Sequence, residues 1–299
     1  MFKQVSIIGC GLIGSSVFRA LKKSNLVKQV ITFDNDKSVS EIIKKENLSD
    51  KIVSNPEEAV SNADLVLIST PISSFESVAN SIKKHLKSGS ILTDTNSVKK
   101  GADVIIKKMN LKNISWISSH PVAGTEKSGP RAGFSDLFKD RWTILTPDSK
   151  AKESDIKKVS LFWESMGSKT KIMSVKDHDK ILSLTSHLPH VIAYNIVKTA
   201  MGDDEKTKKD VVRYSAGGLR DFTRIAASNP IMWKDIFIDN SDLIIDGINK
   251  FSKSLDQFKK AIIEKDSKKL LEIFKKSKEF REAIIEAGQD TDKPGFGRK

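Results

Sequence analysis

The sequence predicts an α/β protein in two parts: a doubly wound sheet domain over residues 1–173 and an all-helical part over residues 174–287, closed by a flexible tail over 288–299. Three observations predict it. Short apolar runs alternate with helix-length amphipathic stretches from Val5 to Ile172, the pattern of βαβ units. A G-x-G-x-x-G run, Gly9-Cys10-Gly11-Leu12-Ile13-Gly14, lies between the first apolar run and the first helical stretch. After Ser174 the strand signals stop.

Taken in order, Val5 to Ile8 is the first strand and Ser15 to Lys23 a helix. The pattern of glycines is not specific alone; its place between strand and helix makes it a Rossmann-type dinucleotide loop. Gly9 permits the tight turn, Gly11 lets a pyrophosphate approach the backbone, and Gly14 lets helix and strand pack closely. The helix start at Leu12, Ile13 and Gly14 offers free N–H groups to the phosphates. The next strand, Gln29 to Phe33, ends at Asp34, 20 positions after Gly14. A carboxylate there accepts from ribose hydroxyls and repels the extra phosphate of NADP, and Asn35, Asp36 and Lys37 bring no Arg, so the expected cofactor is NAD. Asp36 is the alternative after a small shift of register, and either Asp could instead cap a helix beginning near Ser38.

Pro56 to Ser61 then reads as a helix, Asp64 to Ser69 as a strand, Pro71 to His85 as a helix, Ser90 to Thr93 as a strand and Val98 to Met109 as a helix. Ile114 to Ile117, Trp142 to Leu145 and Lys169 to Ile172 are further strands, with a helix from Glu153 to Met166 between the last two. Thr70 and Ser97 fall just past strand ends, where they face cofactor and substrate or else cap the helices that follow.

The stretch from Ser119 to Gly133 carries the chemistry. Pro121 cannot donate to a ladder, so it ends the strand and leaves His120 at the carboxyl edge, where open parallel sheets bind ligands. The loop beyond it, with Thr125 and Glu126 among glycines, is shaped for function rather than packing. His120 is the candidate base; a structural histidine is the bland alternative.

In the second part, Val175 to Met201 reads as one helix interrupted at Pro189. His187 and His190, three apart, share a face. No third metal ligand stands near them in sequence, so no metal is expected, and the pair is read as anion-binding or substrate-orienting. Gly202 to Lys209 reads as a charged loop. Arg220 and Arg224 flank Asp221; one Arg pairs with it and the other waits for a ligand carboxylate. Ser228-Asn229-Pro230 starts a helix carrying Trp233, and from there to Ile285 the chain is helical and amphipathic. Phe251, Leu255, Phe258 and Ile262 make a seam that suits either the chain's own core or a dimer interface.

With 51 Lys and Arg against 38 Asp and Glu, the net charge is +13. Basic balance of this size suits nucleic acid or small anions. The lysines are scattered among acids and not interleaved with aromatics, so the expected partner is a small-molecule substrate, with no nucleic acid. The lone Cys10 excludes a disulfide framework and fits a reducing cytoplasm. Neither a signal peptide nor an apolar run of membrane-spanning length stands out, so no membrane is expected.

The motifs Gly9 to Gly14, Asp94 to Lys99, His120 to Gly129, His187 to His190 and Gly217 to Trp233 stand in an order that resembles the prephenate dehydrogenases, with the cyclohexadienyl and arogenate dehydrogenases of tyrosine biosynthesis. The His-Pro-x-Ala-Gly-x-Glu-x-Ser-Gly piece, together with Asp-x-Thr-Arg-x-Ala, is the specific part. The resemblance implies a nucleotide domain like that of 6-phosphogluconate dehydrogenase, a helical dimerisation domain and a homodimer. It implies NAD-dependent oxidative decarboxylation of prephenate to 4-hydroxyphenylpyruvate, or of arogenate to tyrosine. It also implies roles: His120 the catalytic base, Ser97 on the same substrate hydroxyl, Arg224 on a substrate carboxylate, and His187 and His190 lining the pocket. Thr125, Glu126 and Trp233 stand at the mouth, Trp233 entering from this chain or from the other subunit. No chorismate mutase or ACT-type segment is expected, so feedback by tyrosine does not carry over. The competing class is a non-catalytic NAD-binding regulator, which would lack His120, Ser97 or Arg224.

Overall fold

The structure is a computed structural model and describes residues 2–24, 26–202 and 204–288; most of the tail expected to fray lies outside them. Eight strands form one sheet: β1 Gln4–Ile8, β2 Gln29–Phe33, β3 Lys51–Ile52, β4 Leu65–Ile68, β5 Ile91–Asp94, β6 Ser115–Pro121, β7 Trp142–Pro147 and β8 Lys169–Ile172. Their spatial order is β3-β2-β1-β4-β5-β6-β7-β8. Neighbours are parallel except β6 and β7. The order reverses between β1 and β4, which puts a crevice at their carboxyl ends.

Side chains alternate between the faces of a strand, and here both faces are buried. Val5 and Ile7 of β1 and Leu65 and Leu67 of β4 face one core, with Phe18 and Leu21 of helix α1 (Leu12–Ser24) and Phe162 and Trp163 of a later helix, Glu153–Glu164. Ile8, Val66 and Ile68 face a second core, with Phe75 of Ile72–Ile82 and Ile106 of Lys100–Met109. That double cover explains why these strands read as short, mostly apolar runs rather than as alternating ones, most clearly in Leu65–Ile68.

Numbered in chain order, the helices are α1, α2 Lys37–Lys45, α3 Pro56–Val60, α4 Ile72–Ile82, α5 Lys100–Met109, α6 Glu153–Glu164, α7 Val175–Leu182, α8 Leu188–Ala200, α9 Glu205–Tyr214, α10 Gly217–Thr223, α11 Pro230–Asp239, α12 Ser241–Ile263 and α13 Ser267–Glu286. Contacts group the chain into one unit ending at Ile244 and a second beginning at Ile245. The second unit holds most of α12 and all of α13. Its seam residues Leu255 and Ile262 are exposed, while Phe258 packs beside Phe274 with ring centroids 6.1 Å apart.

Three expectations change. The apolar run Ile114 to Ile117 is only the first part of its strand, which ends at Pro121 as expected but holds Ser118–Pro121 within it, paired antiparallel with β7. Val122 N–H donates to Trp142 O at 2.8 Å, so alternate residues turn their N–H groups toward β7. Ser119 N–H turns the other way, to Asp94 Oδ1 at 3.0 Å. Pro121 shares the orientation of Ser119, past the end of β5, where the missing N–H costs the ladder nothing. The helix expected from Val175 to Met201 is split by a π-helical turn over Ser183–His187. Pro189 lacks an N–H and its ring crowds the carbonyl four residues earlier, and the wider turn relieves that clash. Finally, Gly202 to Lys209 is not a loop throughout. Helix α9 starts at Glu205, capped by Asp204, whose side chain accepts from Thr207 N at 2.9 Å. No residue of α9 is buried, so the sequence held no apolar period to mark it.

Candidate active site

The glycine loop sits at the switch point. Gly9 has φ of 90°, and a Cβ there would come within 2.6 Å of Ser69 O and 2.8 Å of Thr70 Cγ2. A Cβ on Gly14 would strike Gly9 O. A Cβ on Gly11 would meet no protein atom within 4 Å, which leaves the backbone open to a ligand at the start of α1. There Leu12 and Ile13 begin the helix, with first-turn N–H groups free of helical partners. Beside the loop, Asp34 Oδ2 accepts from Cys10 N at 2.7 Å and Oδ1 from Asp36 N at 2.9 Å. A carboxylate has about four acceptor sites, so two remain for ribose hydroxyls. Asp36 is the helix cap: it accepts from Ser38 N at 2.8 Å and Ser38 Oγ at 2.7 Å. Asp36 therefore has the capping role, while Asp34 keeps acceptor sites beside the loop. Thr70 is not a cap either. Helix α4 has Pro71 at its N-cap with no side-chain bond, and Thr70 Oγ1 is buried without a partner. An orphaned hydroxyl over an open glycine loop fits a bound dinucleotide.

His120 lies in β6, and Ser97 follows β5. Ser97 does not cap α5, whose N-cap is Lys99 with no side-chain bond. The amides there are held instead by Asp179: Lys99 N donates to its Oδ1 at 2.9 Å and Lys100 N to its Oδ2 at 3.0 Å. The same carboxylate is 2.7 Å from His178 Nδ1, and His178 Nε2 is 2.8 Å from His120 Nδ1. His120 Nε2 keeps no hydrogen-bond partner among the described residues. Burial, with His178 and Lys99 close by, pushes the pKa of His120 well below its usual value, so the ring is neutral.

Under this layer runs a fully buried ion pair. Lys99 Nζ donates to Asp94 Oδ2 at 2.9 Å and to Ser119 O at 2.6 Å. Asp94 Oδ1 also accepts from Ser118 Oγ at 2.7 Å and from Ser119 N at 3.0 Å. The pair thus clamps the backbone next to His120 to the end of β5. Burial pulls the Lys99 pKa down, while Asp94 opposes the shift.

The C-terminal helices bring the remaining candidates to this edge. Asn240 Nδ2 lies 3.1 Å from His187 Nδ1 and 3.1 Å from Asp179 O. As Asn240 donates, His187 Nδ1 accepts and the ring proton sits on Nε2, which is buried without a partner. Burial lowers the His187 pKa to about 4, so it is a neutral donor at pH 7. His190 stacks on Trp233, centroids 3.5 Å apart and planes 21° off parallel. His187 meets the same indole edge-on at 6.2 Å. Both histidines therefore share a face, and the buried Trp233 on which they pack belongs to their own chain. Val98, next to Ser97, packs on Trp233 and Ile236. Burial, with the nearby charge of Arg224, lowers the His190 pKa. Arg224 Nη1 stands 3.8 Å from Glu126 Oε2, both side chains half exposed, while Thr125 is exposed beside Glu126. The expected pairing of Asp221 with a flanking Arg is not made: among the described residues no ion pair joins it to Arg220 or Arg224.

The sequence reading missed His178, Asp179 and Asn240. His178 and Asp179 sit in Lys176-Asp177-His178-Asp179-Lys180, a charged run that reads as a solvated helix face. The one signal was that such a run follows directly on the last strand.

A glycine loop at a switch point, with an uncharged imidazole at the edge of the same sheet, is the arrangement of a dinucleotide-binding protein of the Rossmann class. Residues 17–172 match the family model for the prephenate dehydrogenase nucleotide-binding domain, and residues 174–276 match that for its dimerization domain. The chain is 40% identical over 286 residues to a cyclohexadienyl dehydrogenase of Zymomonas mobilis, covering 95% of this chain and 97% of that protein. It is 30% identical to a prephenate dehydrogenase of Bacillus subtilis, covering 95% and 76%. A crystal structure of prephenate dehydrogenase from Aquifex aeolicus, in complex with hydroxyphenyl propionate and NAD+, superposes with a TM-score of 0.85 at 31% identity, covering 95% and 99%. The chain belongs to the prephenate and cyclohexadienyl dehydrogenase family of tyrosine biosynthesis.

Proposed function

We propose that the protein catalyses NAD-dependent oxidative decarboxylation of prephenate to 4-hydroxyphenylpyruvate. The observation that carries this is His120: a buried, neutral imidazole with Nδ1 engaged and Nε2 unpartnered, in one side-chain array with the unpaired donor of His187. NAD, held by Gly9, Gly11, Gly14, Leu12, Ile13, Asp34 and Thr70, supplies the hydride acceptor. His120 Nε2 takes the proton of the ring hydroxyl as hydride leaves the carbinol carbon, and Ser97 contacts the same oxygen. A positioned base of this kind contributes about 10²–10⁴-fold. Aromatisation drives loss of the ring carboxylate. The stoichiometry releases no net proton, so His120 returns its proton to the nascent phenolate. Arg224, with Thr125 and Glu126 at the mouth, holds the side-chain carboxylate. His187 donates to a substrate oxygen from Nε2, and His190 on Trp233 walls the pocket.

The second reading is a cyclohexadienyl or arogenate dehydrogenase. It is favoured by the 40% identity to the Zymomonas mobilis cyclohexadienyl dehydrogenase. Assaying prephenate and arogenate, each with NAD and NADP, separates the readings: turnover of prephenate with NAD supports the first, comparable turnover of both substrates supports the second, and turnover of neither removes both.

We further propose a cytoplasmic homodimer, with residues 1–173 as the nucleotide domain and 174–287 as the helical one. The dimerization-domain match and the exposed Leu255, Ile262, Leu271 and Phe274 of α12 and α13 support a second copy as the partner. A monomer by sedimentation at micromolar concentration would remove it.

A further inference from the structure

Three buried groups stand in line behind the free nitrogen of His120. Asp179 Oδ1 is 2.7 Å from His178 Nδ1, and His178 Nε2 is 2.8 Å from His120 Nδ1. The two rings meet at 63° with centroids 5.0 Å apart. None of the three is explained by packing alone, since burying polar groups costs free energy unless each finds a partner.

Protons can be assigned along this line from its far end. Asp179 accepts from three N–H groups: Lys99 N, Lys100 N and His178 Nδ1. A carboxylate with three donors is ionised, and its pKa is held below the usual value. It therefore fixes the His178 proton on Nδ1. Burial keeps His178 neutral, so its Nε2 has only a lone pair to offer. That lone pair fixes the His120 proton on Nδ1, leaving Nε2 unprotonated. Without this line, a neutral imidazole populates both tautomers, and the one with its proton on Nε2 cannot act as a base there.

We propose that His178 and Asp179 are positioning residues for the reaction: as an Asp179–His178–His120 line they set the tautomer and ring orientation of the base. This rests on the reading of His120 as that base. Asp179 has a second task that suits the first. It caps α5 through Lys99 N and Lys100 N, so the helix that follows Ser97 and the orientation of His120 are set by one carboxylate. The helix N-terminus also favours the ionised form on which the assignment depends.

The charged and titratable groups around His120 are His178 and Asp179 of α7, Lys99 and Asp94 at the β5–α5 turn, and His187 of the π-helical turn. Of these only His178 bonds to the ring, so changes at Asp179 reach His120 through His178.

The test uses the full chain with three variants: Asp179→Asn, His178→Gln and His178→Phe. An Asn at 179 can turn its NH₂ toward His178, which reverses both tautomers and moves the His120 proton to Nε2. The expected result is a fall in kcat of about 10²–10⁴-fold, the range for a lost base. KM for substrate and the affinity for NAD should stay within about threefold, because neither residue touches these ligands in the proposed arrangement. A Gln at 178 can keep an acceptor near the place of Nε2, so it should retain at least tenfold more kcat than Phe. The acid limb of the kcat profile should shift in Asp179→Asn, a readout that a purely structural role would not move. The proposal is overturned if Asp179→Asn and His178→Phe keep kcat within twofold of the parent. It is equally overturned if kcat and NAD affinity fall and KM rises together with a loss of melting temperature, since the residues would then serve only the fold. A parent that turns over neither prephenate nor arogenate would instead refute the functional reading itself, so the two failures are distinguishable.

Discussion

Arg224 Nη1 and Glu126 Oε2 face each other across 3.8 Å with both side chains half exposed. That distance is too long for a hydrogen bond, and an exposed pair of this kind is worth about 0–1 kcal/mol. The guanidinium is therefore not committed within the protein. A ligand carboxylate would give it a charge-assisted bond worth roughly 1.5–3 kcal/mol. Arg224→Ala should raise KM for prephenate about ten- to hundredfold with a smaller change in kcat. Steady-state kinetics checks this, and an unchanged KM would remove Arg224 from substrate binding.

His120→Asn leaves a side chain that fills part of the space but cannot take the proton. Turnover should fall by about 10²–10⁴-fold, while NAD binding, followed by fluorescence titration, stays as in the parent. An unaltered kcat would take His120 out of the mechanism.

At the cofactor end, Asp34→Ser removes the carboxylate beside the glycine loop and should narrow the preference for NAD over NADP. Asp36→Ser keeps a capping side chain on α2 and should leave the preference alone. The ratio of kcat/KM for the two cofactors is the readout; a change with Asp36→Ser only would reverse the assignment.

The buried Lys99–Asp94 pair makes a stability prediction. Removing one member leaves a buried charge without its partner, which costs about 3–5 kcal/mol. Lys99→Met should lower the unfolding free energy by that amount in urea. A loss below about 1 kcal/mol would mean that the clamp on Ser119 is dispensable.

Acid should destabilise the protein, and the sign follows from the buried imidazoles. His120, His178 and His187 all have lowered pKa values, His187 to about 4. Above the unfolded value near 6.5 both states are neutral and the groups cost nothing. As pH falls from about 6.5 toward 4, the unfolded chain binds protons that the folded one does not, and stability falls by up to about 1.4 kcal/mol per pH unit for each group. Asp239, whose pKa is raised by burial, acts in the opposite sense but is one group against three. Urea unfolding at about pH 7 and about pH 5 should show the lower stability at the acid value; equal stability would mean that these rings are charged in the fold.

Much of this was legible in the letters. The sheet could be read because β1, β4 and β5 are covered on both faces, which leaves short, mostly apolar runs, continuous only in β4. The glycine loop, Asp34, Thr70, Ser97 and His120 could be placed because strand ends fix them to one edge. What could not be read depended on partners far along the chain. The pairing of His178 with His120 depends on α7 packing beside α5 and β7, and the one local hint was that its charged run follows directly on the last strand. One of Arg220 and Arg224 was expected to pair with Asp221, whereas the only acidic side chain the structure sets near Arg224 among the described ion pairs is Glu126, from the loop after β6. Helix α9 escaped because none of its side chains is buried.

The central claim is that His120 and Arg224 act on opposite ends of one substrate beside the dinucleotide. A crystal structure of the ternary complex with NAD+ and 4-hydroxyphenylpyruvate tests it most directly. The account requires the phenolic oxygen within hydrogen-bond distance of His120 Nε2 and the carboxylate on Arg224. A ligand bound with His120 and Arg224 opening onto separate cavities would contradict it.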